Sequence, residues 1–487
     1  MTTLLIKNGH VLDLALPFEA TDVFIEDGRI ARIGPTTGGA DRVIDATGKV
    51  VMPGLINAHT HSVQILDRGL GDPYTLDQWS VLGAFGAQAQ TSRELYALTA
   101  WSALTLLRGG CTASMDITSP AAQLEGNYDA MMQAYVDTGA RAAVALALVD
   151  LDFYETLPRS LLGADPLPRM PFTRPKAALQ LAAARRCLAT WKDRSPRVQP
   201  YLGPSAPQRL SDELLAGVFA LSREMDAGVH THVLEARSHW FACQERFGAS
   251  PITHLDRHGW LGPSLSLAHG VWLDEDDMRR IADRGAVLAH NPISNLRLAS
   301  GIANLQLMLA KGVSVAIGTD GAASNDNQNM WEALKLTAIL HRAYGKRASW
   351  PTAADALRLC LEGGAAILRQ RVGAVRVGHE ADLVVLGGRD VFLLPKGQMI
   401  ASLVLGELGQ SVETVVVAGD VVLENGRSTK VDETVLRAEV AAIVEKGVAS
   451  LPERERGYVE RSALIDELIG RVEATAGGPA GLVFPGR

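Results

Sequence analysis

Cysteine is scarce in this chain of 487 residues: there are four, Cys111, Cys187, Cys243 and Cys360, far apart and with no C-x-x-C pair. Such spacing argues against a disulfide framework and a thiolate zinc site, and leaves reduced thiols in a cytosol as the plain reading. Long apolar runs are missing as well. No stretch reaches roughly 18 apolar residues, so no membrane span is expected. The segment Met1-Thr2-Thr3-Leu4-Leu5-Ile6-Lys7-Asn8-Gly9 lacks the charged flank and long apolar core of a signal peptide, and a cytoplasmic protein is expected. Blocks of like charge are absent and the net charge is −7, which argues against a nucleic-acid surface. The most charged stretch, Pro452-Glu453-Arg454-Glu455-Arg456, alternates in sign and reads as a solvated helix face. There is no low-complexity tract. What remains, 47% hydrophobic and 21% charged, is the composition of a globular enzyme. The length suits a barrel of roughly 250 residues or more joined to a second module.

Short strands are expected near the start, at 4–7, 11–14, 22–26 and 29–33, parted by Asn8-Gly9 and Asp27-Gly28 turns. The same texture returns at 383–386, 403–405, 414–417 and 421–423. The two ends are therefore expected to build one small β-sandwich module from residues 1–52 and 376–430. Between them eight apolar strand-like runs, at 51–58, 111–117, 142–149, 198–202, 228–233, 265–269, 286–290 and 313–318, alternate with amphipathic stretches such as 92–108 and 274–283. Continuous apolar strands alternating with helices imply a parallel sheet, and eight units suggest an α/β fold of the (β/α)8 TIM-barrel type over residues 53–375. A doubly wound open sheet is the rival. A proline-rich loop at 166–175 follows the third strand and is placed to cover a pocket. Residues 431–487 read as a helical C-terminal extension, helical to about Gly470, with a Gly/Pro-rich tail from Gly477.

In such barrels chemistry sits at the C-terminal ends of the strands. Six of the twelve histidines fall there: His59 and His61 on the first run, His230 and His232 on the fifth, His269 on the sixth and His290 on the seventh. Asp320 ends the eighth. A satisfied core histidine explains any one of these, but explains six poorly. On a strand, residues i and i+2 share a face, so His59 and His61 can hold one ion together. Three imidazoles and a carboxylate suit a divalent ion, zinc first, with a water completing an open position. Iron(II), cobalt(II) or manganese(II) use the same set. The ion lowers the pKa of that water to roughly 7, and a nearby carboxylate must then move protons to the leaving group. Glu235, three residues past His232, is the candidate; a surface-loop glutamate is its alternative reading. His230 shares a face with His232 but sits one layer deeper, where it packs beneath the ion. His232 is preferred as ligand because Glu235 follows it closely. The fourth run, Arg197-Val198-Gln199-Pro200-Tyr201-Leu202-Gly203-Pro204-Ser205, has no lysine to bridge a second ion, so one ion per chain is expected.

Pro53-Gly54-Leu55-Ile56-Asn57-Ala58-His59-Thr60-His61 resembles the first-strand signature of the amidohydrolase superfamily, and the resemblance extends over about residues 1 to 430. The stretches His290-Asn291-Pro292-Ile293-Ser294-Asn295 and Gly318-Thr319-Asp320-Gly321-Ala322-Ala323-Ser324-Asn325-Asp326 are similar to the branch holding S-adenosylhomocysteine deaminase, guanine deaminase and the triazine hydrolases. The resemblance implies that His59, His61, His232 and Asp320 bind the metal. It further implies that Asp320 takes a proton from the water, that His269 orients that water and polarises the attacked carbon, and that Glu235 protonates the ring nitrogen or departing group. The reaction implied is hydrolytic displacement at an sp2 carbon of a non-peptide C–N compound. A deaminase of an amino-substituted heterocycle is favoured. An amide, urea or carbamate hydrolase and a triazine-type chlorohydrolase are the alternatives, and a non-catalytic metal-binding barrel the remote one.

The chain departs from the adenosine-type deaminases of this branch after the fourth strand. Where they carry a histidine in a Gly-Pro-His-Ser-Pro-Tyr-like stretch, this chain has Gly203-Pro204-Ser205-Ala206-Pro207-Gln208. The segment Ser80-Val81-Leu82-Gly83-Ala84-Phe85-Gly86-Ala87 is also unusually apolar and small. Together these point to a compact, fairly apolar small molecule rather than a charged nucleotide. Trp79 is the candidate to stack on a planar substrate, Gln208 to read polar substrate atoms, and His290 to contact substrate or a neighbouring loop. Asn325 is read as ordering the loop after Asp320. By analogy with relatives, a homodimer or homotetramer is expected.

Overall fold

Eight parallel strands stand side by side in chain order: Leu55–Thr60, Cys111–Ile117, Arg141–Leu148, Val198–Pro204, Val229–Val233, Leu265–His269, Val287–His290 and Ser314–Ile317. The computed structural model describes residues 2–70, 72, 74–85, 90–118, 126–162, 174–343, 345–387 and 395–479. A doubly wound sheet reverses its strand order part-way; here the order never reverses. The last strand is tied back to the first, Asp320 N donating to His59 O at 2.9 Å and Thr319 N to Asn57 Oδ1 at 3.0 Å. The result is a nearly closed barrel of the TIM type.

Both faces of these strands are buried, and the side chains sort by the two-residue period. On the third strand Ala142, Val144, Leu146 and Leu148 pack outward among the helices, while Ala143, Ala145 and Ala147 face inward. Small inward residues suit the narrow interior. Below them Tyr201 donates its hydroxyl to Ile367 O at 3.1 Å. The surrounding helices start where capping chemistry places them. Ser92–Arg108 opens on a Thr91/Glu94 capping box and Glu275–Arg284 on an Asp274/Asp277 box.

The two chain ends build one nine-stranded sheet. Thr3–Val11, Ala20–Glu26, Arg29–Ile33, Arg42–Asp45 and Val50–Pro53 come from the start, and Leu383–Leu386, Val412–Val417, Asp420–Glu424 and Arg427–Ser428 from the end. Val50–Pro53 and Leu383–Leu386 pair antiparallel, with Val51 opposite Val385, and so join the halves. Ile6, Val23, Ile25, Val51, Leu383, Val385 and Val416 form its separate core. Arg141, 1% exposed, fastens this sheet to the barrel. It donates to Asp382 through Nε (2.6 Å) and Nη2 (3.0 Å), and to Gln370 Oε1 through Nη1 (2.7 Å).

Three expectations are corrected. The runs 4–7 and 11–14 are not two strands: Thr3–Val11 is one strand with an irregularity between Ile6 and Gly9, and Asn8 at φ 60° absorbs it. The run 403–405 lies inside a helix, Met399–Gly406, because three apolar residues carry no period. The run 51–58 is cut at Gly54, where a Cβ would lie 2.1 Å from Thr112 Oγ1, so Val51 and Met52 belong to the end-derived sheet and Ile56 to the barrel. Past it, a long helix, Glu433–Ala474, begins at Asp432 and returns across the barrel, where Ile465, Leu468 and Val472 pack on Val81, Tyr154, Leu157 and Leu162. The proline-rich loop up to residue 173 and the tail from residue 480 lie outside the described residues. All four cysteines are free and buried. No described helix is long and apolar enough to cross a membrane.

Candidate metal centre and active site

The fifth barrel strand sends Val229 and Val233 outward, so the alternation turns His230 and His232 inward. The first strand reaches the same point by breaking its own rule. Ala58 packs in the inner cluster, yet the pairing with the next strand slips between Asn57 and Thr60, and His59 and His61 also face inward. His269 ends its strand at φ 74° and Asp320 stands three residues past the eighth at φ 66°, left-handed conformations that non-glycine residues adopt at a cost and that re-aim both side chains.

Four of these groups meet. His61 Nε2 lies 3.2 Å from His232 Nε2, and Asp320 Oδ1 lies 3.4 Å from both His59 Nε2 and His61 Nε2. The direction of each imidazole follows from its other nitrogen. His61 Nδ1 donates to Ile117 O (2.9 Å) and His232 Nδ1 to Ser205 O (2.6 Å), since a carbonyl only accepts. For His59 the relay is longer. Ser266 Oγ donates to Val229 O (3.2 Å) and accepts from His230 Nδ1 (2.7 Å), which leaves His230 Nε2 to accept from His59 Nδ1 (2.9 Å). All three Nε2 atoms therefore turn lone pairs towards one point, and His59 Nε2 is buried with no hydrogen-bond partner among the described residues. Converging lone pairs beside a carboxylate repel one another unless a cation lies between them, so the residues present fit a divalent ion. His230 has neither nitrogen left for one.

Burial holds these imidazoles neutral: His59 is pushed down to about 4, and His230 and His232 well below the usual value. Burial also pushes Asp320 up, but the attraction of the His59, His61 and His269 rings set around it prevails and holds it well below the usual carboxylate range. Its Oδ2 accepts from Ser294 Oγ at 2.6 Å. Glu235 is different. It is 5% exposed, and burial, opposed by His269, raises it to about 7. Its Oε1 lies 3.6 Å from His269 Nδ1, which sits 2.9 Å from Asn295 Oδ1. The site thus pairs a carboxylate held ionised with one that keeps its proton near neutrality, an acid–base division found in catalytic sites.

Among the remaining candidates, Trp79 packs with Leu76, Leu298 and Ala236, the last of which directly follows Glu235 in the chain. Gln208 is buried and turned towards the following helix, its Oε1 accepting from Cys243 Sγ at 3.7 Å. His290 is not brought to the cluster: it follows inward Ala289, so it points outward and lies 5.9 Å from His341, between ring centroids. Asn325 Nδ2 donates to Thr319 O at 2.8 Å and ties down the loop after Asp320. Sequence reasoning passed over Ser294 and Asn295, both inside the quoted His290 stretch, as well as Asp77, Arg209 and His239. Arg209 directly follows Gln208, and Asp77 lies two residues before Trp79; no spacing rule marks either.

A sequence profile described as the amidohydrolase family matches residues 50–422. A 5-methylthioadenosine/S-adenosylhomocysteine deaminase from Thermococcus kodakarensis is 36% identical over 427 residues, 86% of this chain and 94% of the relative. A 5′-deoxyadenosine deaminase from Methanosarcina mazei is 33% identical over 455 residues, 92% of this chain and 99% of the relative. Among solved structures, an adenosine deaminase from Xanthomonas campestris with bound zinc superposes with a TM-score of 0.80 at 26% identity, covering 93% of this chain and 99% of the other.

Proposed function

This chain belongs to the amidohydrolase family, hydrolases of carbon–nitrogen bonds other than peptide bonds, and from that premise we propose that it is a mononuclear zinc deaminase of an amino-substituted heterocycle. The observation that carries the reading is the convergence of three imidazole lone pairs and an ionised carboxylate beside a carboxyl that keeps its proton near pH 7. His59, His61, His232 and Asp320 would hold the ion. A bound divalent ion supplies Lewis acidity, lowering the pKa of a water to roughly 7.

The rest falls to the chain's own groups. Asp320, held ionised, accepts a proton from the attacking water. His269, fixed by Asn295, orients that water and polarises the attacked carbon. Glu235 gives its proton to the ring nitrogen or departing amine, and a group titrating at about 7 can take one back as readily. The proton held by Asp320 passes to the amine, the C–N bond breaks and ammonia leaves the tetrahedral intermediate, while Glu235 recovers a proton from the new hydroxyl. Trp79 offers a planar apolar wall.

Relatives named as deaminases of adenosine analogues make nucleosides of that kind the first class to try. Ser205, where such enzymes carry histidine, favours a compact and fairly apolar ring without the sugar, so free bases belong beside them. Zinc is favoured because nitrogen donors dominate the set and a structural neighbour binds it. Four buried free thiols agree with a cytoplasmic location, and a homo-oligomer is proposed by analogy with relatives. The test is ammonia release by zinc-loaded protein across aminopurines, their nucleosides, aminopyrimidines and aminotriazines, with amides, ureas and carbamates alongside. Ammonia from one ring class supports the proposal. Loss of an amide or carbamate without any ring deamination overturns it.

A further inference from the structure

Arg209 ends the short 3-10 turn Pro207–Arg209, just past the fourth barrel strand. Its backbone is fixed at both ends: Arg209 N donates to Ala206 O at 2.8 Å, and its carbonyl accepts from Leu151 N at 3.4 Å. The guanidinium stands over the Phe153 ring, 5.5 Å from the centroid, within electrostatic reach of Glu235 and Asp77. Among the described residues nothing hydrogen-bonds it. Arg141 makes the contrast: it is clamped by Asp382, Glu380 and Gln370.

The acids near Arg209 are engaged elsewhere. Both Asp77 oxygens accept from Ser238 Oγ at 3.0 Å, and Glu235 faces His269. Arg174 adds a second positive charge nearby. Next to Ser238 stands His239, 7% exposed, with no partner for Nδ1 among the described residues and within the electrostatic field of Arg209 and His269. A guanidinium offers five N–H donors in a flat fork. Glu235, Asp77 and the Phe153 ring answer the charge of Arg209 but not its directed donors, and the neighbouring His239 Nδ1 is buried without a partner among the described residues. A neutral carbonyl satisfies one donor and leaves the charge; an anionic oxygen group satisfies both, and the fork fits it bidentately.

We infer that Arg209 and His239 form a substrate-anchoring subsite beside the metal centre, and that the heterocycle taken by this enzyme carries a negatively charged oxygen, either a ring oxyanion or a carboxylate. The subsite rests on the deaminase reading only for what happens to the ligand; the anchoring itself is a binding property. It also refines the apolar expectation: the walls Trp79 and Phe153 receive a flat ring, and one edge of that ring is anionic.

The test pairs amino-heterocycles that differ only in the oxygen substituent: ionised hydroxyl against methoxy, and carboxylate against methyl ester. Each is measured as kcat/KM with zinc-loaded wild type, Arg209→Met, Arg209→Lys and His239→Asn, and thermal shifts are read with amine-free anionic analogues. Wild type should prefer the anionic member roughly 10- to 100-fold, as expected for hydrogen bonds to a charged group. Arg209→Met should erase that preference by lowering only the anionic member, and Arg209→Lys should restore part of it, having the charge without the fork. The hydroxyl and carboxylate series distinguish the two sources of the anion. Equal losses on both members, or no preference in wild type, overturn the subsite and leave the deaminase reading standing. Stabilisation of wild type but not of Arg209→Met by anionic analogues, without ammonia from any compound, supports the subsite while the deaminase reading fails. If Arg209→Met does not fold, the same comparison is made with Arg209→Lys and His239→Asn.

Discussion

Glu235→Gln should make the metal-stripped protein more stable at pH 8 while disabling turnover. Below the usual glutamate value of 4.5, folded and unfolded chains both hold the proton, and the group does not distinguish them. Between 4.5 and about 7 the folded chain keeps a proton that the unfolded chain has released, so stability falls as pH rises. Above about 7 the buried carboxylate has lost its proton and the whole cost stands. Moving a carboxyl from 4.5 to about 7 corresponds to about 3 kcal/mol. Glutamine has the same shape and does not titrate, so the variant should gain on wild type by nothing at pH 4 and by about 3 kcal/mol at pH 8. For a chain of 487 residues, at about 2.1 cal/mol/K of unfolding entropy per residue, that is roughly 3 °C in Tm. Denaturant melts of metal-stripped wild type and variant across pH 4 to 8 read it directly, free of the field of a bound ion. In zinc-loaded protein the same change should lower turnover about 10²-fold or more, as for loss of a general acid–base group, with metal content unchanged. A stability difference that stays flat with pH would mean that Glu235 titrates as an ordinary carboxylate, and the assignment of Glu235 as the proton carrier would fall with it.

Metal analysis separates the two fifth-strand histidines: His232→Asn should abolish stoichiometric binding, whereas His230→Asn should keep one ion per chain with affinity weakened about 10- to 100-fold, as for an outer partner. Equal behaviour would refute the relay through Ser266. Arg141→Met should cost about 3–5 kcal/mol in chemical denaturation, because it strands the buried charge of Asp382; less than 1 kcal/mol would show that the sheet and barrel hold together without it. Ile465→Ala with Leu468→Ala should loosen the C-terminal helix from Val81 and Tyr154. Limited proteolysis should then cut between residues 433 and 479 while metal content stays intact, and an unchanged cleavage pattern would refute that role.

The barrel was legible because a parallel strand buried on both faces writes itself as an unbroken apolar run, and eight such runs are spaced by helix-length segments. The same property hid the boundary at Gly54. Val50–Pro53 and Leu55–Thr60 are both fully buried, so nothing in hydrophobicity separates a strand of the end-derived sheet from the first strand of the barrel. What separates them is the lack of room at Gly54 against Thr112, a contact between residues 58 positions apart. Strand Arg42–Asp45, which lies parallel to Leu4–Lys7, escaped notice for the opposite reason: it is largely exposed, and its two apolar residues, Val43 and Ile44, are too short a run to show a period.

At the site, the sequence shows which residues stand at strand ends but not which way their nitrogens point. His230 and His232 share a face and a residue type, so periodicity treats them alike. They differ through Ser266 on the neighbouring strand, which occupies His230 Nδ1 and so turns His230 into the support of His59, and through Ser205 O, which fixes His232 with Nε2 outermost. His61 is set in the same way by Ile117 O. Three acceptors on three different strands therefore decide where three lone pairs point, and none of them belongs to a metal-binding residue type. Arg209 is the limiting case. A lone arginine after a strand has no motif, and its meaning lies in the bonds it does not make: Asp77 is taken by Ser238, and Glu235 is turned to His269. The strand-end histidines identify the chemistry of the family, whereas the choice of substrate rests on side chains whose role becomes visible only when every neighbouring donor and acceptor has been accounted for.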